Sequence, residues 1–401
     1  MFNFFRPVYH ATLTALGTIF YHFPSRRLIV IGVTGTKGKS TTSEMLAHIL
    51  ETAGKKVFLS STIHFKIAGK EIPNLLKMTM PGRWLLQKML RQAVNKDCTH
   101  AVIEMSSEGA KLWRHVGIEL NGLVVTNLSP EHIESHGSFE KYRAAKLRLL
   151  NALNKSTKPN KFLVLNNNEL ELKHFEAAAN KTVKMVEFSA SVPTYTTSLP
   201  GQFNLENALA AAAAAENLGI NKEIIQTALT NFTGAKGRVE KINVGPFDGA
   251  QGKQDFEVVV DYAHTADSLE KFYQIFDGKK KICVFGATGG GRDKWKRPEM
   301  GKVADKYCDE IILTDDDSYD ENTQAICEEI AAGIKNHSPQ IIVDRRKAIT
   351  TALALARAGD AVLITGKGTD PFLMGPKGKK TPWSDTNITK EELQKCLNSL
   401  K

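Results

Sequence analysis

Apolar residues arrive along this chain in short unbroken runs separated by longer stretches of helical period. The runs at 28–33, 57–59, 101–103, 122–125 and 162–165 are continuous rather than alternating, as expected of strands buried on both faces of a parallel sheet. Helix-period segments lie between them, at about 41–53, 84–94 and 139–153. A second series follows Gly237. It has strands at 256–261, 281–285, 310–314, 340–343 and 361–364, and helices near 266–276, 322–335 and 346–358. This alternation predicts an α/β fold with doubly wound parallel sheets. The boundary between the two series is expected between Phe232 and Arg238, where Gly234 and Gly237 interrupt the pattern. The alanine-rich stretch 208–215 ends at Leu218-Gly219, which predicts a tightly packed helix with a glycine cap rather than a linker.

The first 27 residues stand apart. Leu13, Leu16, Phe20 and Phe23 recur at helical spacing, and the segment holds Arg6, Arg26 and Arg27 but no acid. Its apolar stretch from Ala11 to Phe23 falls short of the roughly 20 residues needed to cross a bilayer. No small-residue cleavage site follows, so a secretory signal is not expected. The pattern predicts a short amphipathic helix that either packs on the core or touches a membrane surface.

Composition narrows the field. A chain of 401 residues, 42% hydrophobic and 24% charged, is that of a multidomain globular protein rather than a disordered, collagen-like or polytopic membrane chain. Five cysteines lie far apart with no C-x-x-C pair, so neither a disulfide scaffold nor a zinc ribbon is expected, and a reducing cytoplasm is the natural compartment. The net charge of +10 fits anionic ligands. Nucleic acid is not the expected partner, because no reader module or aromatic stacking pattern is present.

The strongest local signal is Gly32-Val33-Thr34-Gly35-Thr36-Lys37-Gly38-Lys39-Ser40-Thr41, between a strand and a helix. Glycines let backbone N–H groups converge on phosphate oxygens, and the helix N-terminus adds positive character. Val33 occupies the first glycine position of the usual spacing, but the shorter Gly35-x-x-Gly38-Lys39-Ser40 is intact. Lys39 would reach the β- and γ-phosphates and the Ser40 hydroxyl a magnesium ion. The central domain is therefore read as P-loop NTPase-like, over 28–235, with a Rossmann-like α/β domain over 236–401.

Other polar groups fall at strand ends, where ligands of open parallel sheets collect. Glu104-Met105-Ser106-Ser107 follows one strand and Asn127-Leu128-Ser129-Pro130-Glu131-His132 another. Glu104 and His132 could hold a second divalent ion, or serve as a helix cap and an ordinary loop histidine. Lys146 by itself reads as helix surface. In the second half, Asp261-Tyr262-Ala263-His264 and the glycine run 286–291 with Arg292, Asp293, Lys294, Lys296 and Arg297 close two further strands.

Taken in order, these segments resemble the Mur ligase family, in particular the branch that adds the third residue to UDP-N-acetylmuramoyl-dipeptide. Met78-Thr79-Met80-Pro81, Tyr142-x-x-Ala-Lys146, Leu199-Pro200-Gly201-Gln202-Phe203-Asn204-x-x-Asn207, Gly237-Arg238-Val239-Glu240 and Gly366-Lys367-Gly368 extend the match from about residue 28 to 395. The resemblance implies an ATP- and magnesium-dependent amide ligase of peptidoglycan synthesis, cytoplasmic and monomeric, working through an acyl phosphate. It assigns Lys39 and Thr41 to phosphate, Ser40 to one magnesium, and Glu104 and His132 to the other. Lys146 matches a carbamylated lysine. Asn207, Arg238, Asp261 and His264 match nucleotide contacts, and Thr79, Ser106 and Arg114 muramoyl-peptide contacts.

Three departures qualify the match. Only 27 residues precede the first strand, so the family's uridine-binding N-terminal domain is not expected, and the acceptor's handle is open. The loop Asp-Asn-Pro-Arg that reads diaminopimelate aligns with Asp316-Asp317-Ser318-Tyr319, without its arginine. Gly-Lys-Gly-His-Glu becomes Gly366-Lys367-Gly368-Thr369-Asp370. Asp316, Asp317 and Asp370 would suit a cationic side chain such as lysine. Competing readings are a Mur-like ligase on another peptide or poly-amino acid, with cyanophycin-synthetase-like chemistry, or an idle substrate-presenting subunit.

Overall fold

The computed structural model describes residues 2–82, 84–131, 133–243, 255–291 and 294–399. The chain divides into two compact units, one ending at Thr233 and the other beginning at Gly234.

The first unit opens with helix α1 (Phe2–Phe20) and a 3-10 turn at Pro24–Arg27. Next come β1 (Ile29–Thr34), α2 (Lys39–Thr52), β2 (Val57–Ser60), β3 (His64–Ile67) and β4 (Lys70–Pro73). The middle holds α3 (Leu85–Asn95), β5 (His100–Glu104), α4 (Ser107–Lys111), β6 (Gly122–Val125) and α5 (Ile133–His136). The unit closes with α6 (Phe139–Lys155), β7 (Phe162–Asn166), α7 (Lys173–Ala178), β8 (Lys184–Phe188), α8 (Gln202–Asn217) and α9 (Lys222–Asn231).

Its eight strands run in the order β4-β3-β2-β5-β1-β6-β7-β8. β1 is central, pairing in parallel with β5 (Val33 opposite Glu104) and with β6 (Thr34 opposite Val125). The chain leaves β1 toward one side of the sheet and crosses to the other between β5 and β6. That reversal opens a crevice at the carboxyl ends of the three strands. Val30, Phe58, Ile103, Leu123, Val125, Leu149 and Leu163 fill one face of the sheet.

The second unit contains β9 (Glu240–Lys241), β10 (Glu257–Asp261), α10 (Ala266–Gln274), β11 (Lys281–Phe285), α11 (Lys296–Tyr307) and β12 (Glu310–Leu313). They are followed by α12 (Thr323–Ala331), β13 (Gln340–Ile341), α13 (Arg345–Leu355), β14 (Ala361–Thr365), β15 (Phe372–Met374), β16 (Lys380–Pro382) and α14 (Asp385–Ser399). Its main sheet runs β13-β12-β11-β14-β10-β9, parallel except for β9. Val258, Val284, Ile312, Ile349 and Ile364 lie in its core.

Two features go beyond the sequence pattern. The stripe Leu13, Leu16, Phe20 and Phe23 is not the buried side of α1: Leu16 and Phe20 are exposed, while Thr14, Gly17 and Thr18 face the body. Small residues are needed there, because a Cβ on Gly17 would stand 2.4 Å from that of Trp84. The cysteines are also not all free. β11 and the residue that follows α11 bring Cys283 against Cys308, and the two form a disulfide.

Candidate functional site

The crevice of the first unit is built around the loop between β1 and α2. Gly35 (φ 147°) and Gly38 (φ 80°) hold left-handed backbone. A Cβ on Gly35 would meet Thr126 Oγ1 at 1.9 Å, and one on Gly38 would meet Asn207 Oδ1 at 2.1 Å. Glycine is thus required at both points by conformation and by close approach. The loop is pinned from the end of β6, where Asn127 Oδ1 accepts from Lys37 N (2.9 Å) and Thr126 Oγ1 donates to Lys37 O (2.6 Å). From α6, the Tyr142 hydroxyl meets Thr36 Oγ1 at 3.0 Å. Lys39 Nζ folds back over its own loop, donating to Gly35 O (3.1 Å) and Thr36 O (2.8 Å).

Glu104 lies at the next strand end and is buried. Ser40 Oγ stands 3.1 Å from both of its carboxylate oxygens, Thr62 N donates at 2.7 Å and Thr62 Oγ1 at 3.0 Å. Thr62 Oγ1 also meets Thr79 Oγ1 at 2.9 Å, so Thr79 is one hydroxyl away from this carboxylate. Glu104 caps no helix. Ser106 caps α4, accepting from Gly109 N at 3.1 Å. Arg114 is buried beside this group, its Nη1 donating to Met80 O at 2.9 Å.

Lys146 belongs to the inward face of α6, in the stripe Tyr142, Lys146, Leu149, Leu150 and Leu153, not to its surface. Its Nζ donates to Gly35 O at 2.6 Å and sits 4.9 Å from the centre of the Tyr142 ring. Burial, and then the like charge of Lys39, push its pKa well below the ordinary lysine value. Deeper along α2, Glu44 accepts from Ser61 Oγ at 3.0 Å and lies 3.6 Å from His64 Nε2. Burial raises Glu44 to about 7.

Lys39, Ser40, Glu104 and Lys146 therefore lie together around one glycine loop. Among the described residues no three His, Cys, Asp or Glu side chains form a metal cage. Ser40 and Glu104 offer hard oxygens beside a phosphate-type loop, which fits magnesium held jointly with phosphates and water. His132, Arg292 and Asp293 lie outside the described residues. Asn207 stands against this loop, its Oδ1 accepting from Thr42 Oγ1 at 3.2 Å.

Arg238, Asp261 and His264 belong to the second unit. Asp261 accepts from Val239 N (2.8 Å) and Ala263 N (2.7 Å), fixing the turn after β10. The Arg238 guanidinium lies 4.2 Å from the centre of the Tyr262 ring, and the His264 ring is 4.8 Å from the same tyrosine.

Asp316, Asp317 and Asp370 gather at the carboxyl ends of β12 and β14, as a shared role requires. Their charge is met from within. Lys367 Nζ lies 2.6 Å from Asp317 Oδ1, 3.2 Å from Asp370 Oδ2 and 3.9 Å from Asp316 Oδ1. Met374 N also donates to Asp317 Oδ1 at 2.8 Å. Asp316 Oδ2 is buried without a hydrogen-bond partner, and burial raises this carboxyl to about 6. A cationic substrate group is thus not the first counter-charge of this cluster.

Thr62 and Glu44 support the first site without a motif of their own: Thr62 lies two residues beyond β2 and Glu44 lies inside α2. Asn127 opens the quoted segment 127–132, where its strand-end place was the signal.

Fold and loop together define a phosphate-loop nucleotide enzyme with two α/β units. The family model described as Mur ligase middle domain matches residues 33–196, and that described as Mur ligase, glutamate ligase domain matches 247–368. The UDP-N-acetylmuramoyl-L-alanyl-D-glutamate--2,6-diaminopimelate ligase of Syntrophomonas wolfei subsp. wolfei is 34% identical over 97% of this chain and 83% of its own length. The enzyme of the same name from a Nostoc species is 34% identical over 89% of this chain and 76% of its own. A solved structure of a ligase of that name superposes with a TM-score of 0.63 at 26% identity, covering 96% of this chain and 83% of that one. Mycobacterium tuberculosis folylpolyglutamate synthase shares the fold, with a TM-score of 0.72 at 15% identity over 90% of this chain and 93% of its own. The chain belongs to the Mur ligase family, and is an ATP-dependent acid–amino-acid ligase.

Proposed function

We propose that the chain adds a diamino acid, lysine foremost, to a muramoyl-dipeptide-type acceptor in the cytoplasm, acting as a monomer. The observation that carries this reading is the convergence of Ser40, Glu104 and Lys146 on one glycine loop. The curated relatives are named for adding 2,6-diaminopimelate to a UDP-linked muramoyl-dipeptide.

In this reading an oxygen of the acceptor's terminal carboxylate attacks the γ-phosphorus of ATP. The bond from that phosphorus to the β-phosphate oxygen breaks and ADP leaves. The neutral amine of the amino acid then attacks the acyl carbon, the carbon–oxygen bond to phosphate breaks, and the nitrogen gives up a proton. The loop from Gly35 to Thr41 holds the phosphates, with Lys39 covering them and Asn207 beside the loop. Ser40 and Glu104 would hold magnesium, which supplies charge neutralisation at the phosphate oxygens. Thr62 orients Glu104. Thr79, Ser106 and Arg114 serve the acceptor.

Lys146 is proposed to act as its carbamate. The depressed pKa favours the neutral amine, whose nitrogen bonds the carbon of CO2 and releases a proton to water. The product is an anionic oxygen ligand at the same spot.

For the amino acid, three carboxylates against one Lys367 leave the cluster at the carboxyl ends of β12 and β14 acidic. Asp316 Oδ2, which has no hydrogen-bond partner, adds an acceptor for a distal ammonium. The test is a matrix of acceptors, with and without uridine diphosphate, against the twenty amino acids and diaminopimelate, with magnesium and bicarbonate, scored by ADP release. ADP formed only when a muramoyl-dipeptide and lysine are both present supports the reading. Release with diaminopimelate alone would reassign the amine, release with other peptides the acceptor, and no ATP turnover would end the ligase reading.

A further inference from the structure

α1 is packed inside out for a helix of a water-exposed surface. The side toward the body is small and polar: Thr14, Gly17 and Thr18 are buried, and Gly117 lies against Thr18. The outward side is apolar, with Leu16 52%, Ile19 59% and Phe20 69% exposed. Exposed Trp84, at the start of α3, extends the patch, its ring 6.4 Å from that of Phe20. An apolar patch of this kind marks an interaction site rather than a solvated surface.

Charge around the patch identifies the occupant. No acid occurs in residues 1–43, nor from Ile72 to Lys96, the segment that contains α3. Arg26, Arg27 and Lys88 are exposed at its border. The Arg26 guanidinium lies 4.4 Å from the centre of the Phe23 ring, and Lys88 stands one turn above Trp84. Glu119 lies 3.7 Å from Arg26. Aliphatic and aromatic groups on one side, bordered by exposed cations, match a lipid headgroup boundary with negative charge. A second protein copy would meet the same cations and be repelled by them. Among the described residues no helix is long and apolar enough to cross a membrane.

We propose that α1, with Phe23 and Trp84, seats this ligase on an anionic lipid surface. The placement has a use for the active site. His10, nearer the start of α1, comes within 3.6 Å of a Cβ built on Gly82, which also faces Arg114 at 3.2 Å. The bilayer-facing helix thus runs up to the residues assigned to the acceptor.

The test is flotation of the full chain with phosphatidylcholine vesicles carrying about 30 mol% phosphatidylglycerol, and with phosphatidylcholine alone. The expected result is binding to the anionic vesicles only, reversed by high salt. The triple variant Leu16→Ser/Ile19→Ser/Phe20→Ser should weaken partitioning by about tenfold or more. The charge variant Arg27→Glu/Lys88→Glu should abolish the preference for phosphatidylglycerol. Both variants should leave ADP release with a soluble acceptor unchanged, which separates this proposal from the ligase reading. Failure of the native chain to float with anionic vesicles would overturn it. So would a native dimer, detected by light scattering, that the triple variant turns into monomer.

Discussion

Lys146 in the first unit and Lys367 in the second are equally hidden, 1% and 0% exposed, yet their surroundings are opposite. Lys367 sits among Asp316, Asp317 and Asp370, and their charges, working against its burial, raise its pKa above the ordinary lysine value. Lys146 has a carbonyl and an aromatic ring as neighbours, and its burial, then the like charge of Lys39, lower its pKa. Burial alone therefore does not decide what a lysine can do. Where carboxylates touch it, the ammonium is locked as a cross-brace between loops. Where they do not, the free amine is stabilised and becomes available for chemistry.

Substitutions at the two positions should fail in different ways. Lys367→Met leaves three carboxylates without their cation, and should lower unfolding free energy in urea by about 3–5 kcal/mol. A loss under 1 kcal/mol would mean that the brace is not structural. Lys146→Ala should leave the urea midpoint nearly unchanged but slow ADP release by about a hundredfold, or roughly 2.7 kcal/mol. Added acetate or formate, entering the vacated space as a small carboxylate, should restore part of the rate. Full activity in the unrescued variant would remove the carbamate from the mechanism.

Glu44 supplies the smallest effect and extends the comparison to an acid. Its folded pKa of about 7 lies above the unfolded 4.5, so the native state binds this proton more tightly. Its contribution to stability is complete below pH 4.5 and is lost as pH rises through 7. Glu44→Gln should therefore gain about 1–2 kcal/mol relative to the native chain between pH 5 and 8. Parallel stability curves for the two proteins across that window would show that Glu44 is not perturbed in the folded state.

Much of the sheet framework was readable because a strand buried on both faces leaves an unbroken apolar run. β1, β5, β6 and β7 all have this form. The strands that escaped are mostly edge or exposed pieces, apart from the short β3. β4 is Lys-Glu-Ile-Pro and exposed throughout, and β8 begins on an exposed lysine. α11 also escaped, because its sequence KRPEMGKVADKY has too few apolar positions to show a period. In the site, Glu104 was marked by its place at a strand end. Lys146 was visible only through resemblance, since one lysine in an apolar stripe looks like surface until the stripe is traced from Tyr142 to Leu153. The acids at 316, 317 and 370 were legible as a group, but their pairing with Lys367 was not, since that lysine lies 50 residues from Asp317. Charge in a sequence has a sign but no address.

The central place of β1 bears on how the chain matures during synthesis. Val30 hydrogen-bonds within a register set by Ala101, and Thr34 lies opposite Val125. Both walls of the glycine loop therefore leave the ribosome long after the loop itself. At about 5–20 residues per second the nascent β1 waits several seconds for its neighbours. Throughout that interval α1, which precedes β1 in the chain, has already left the exit tunnel and can find a resting place before the sheet closes.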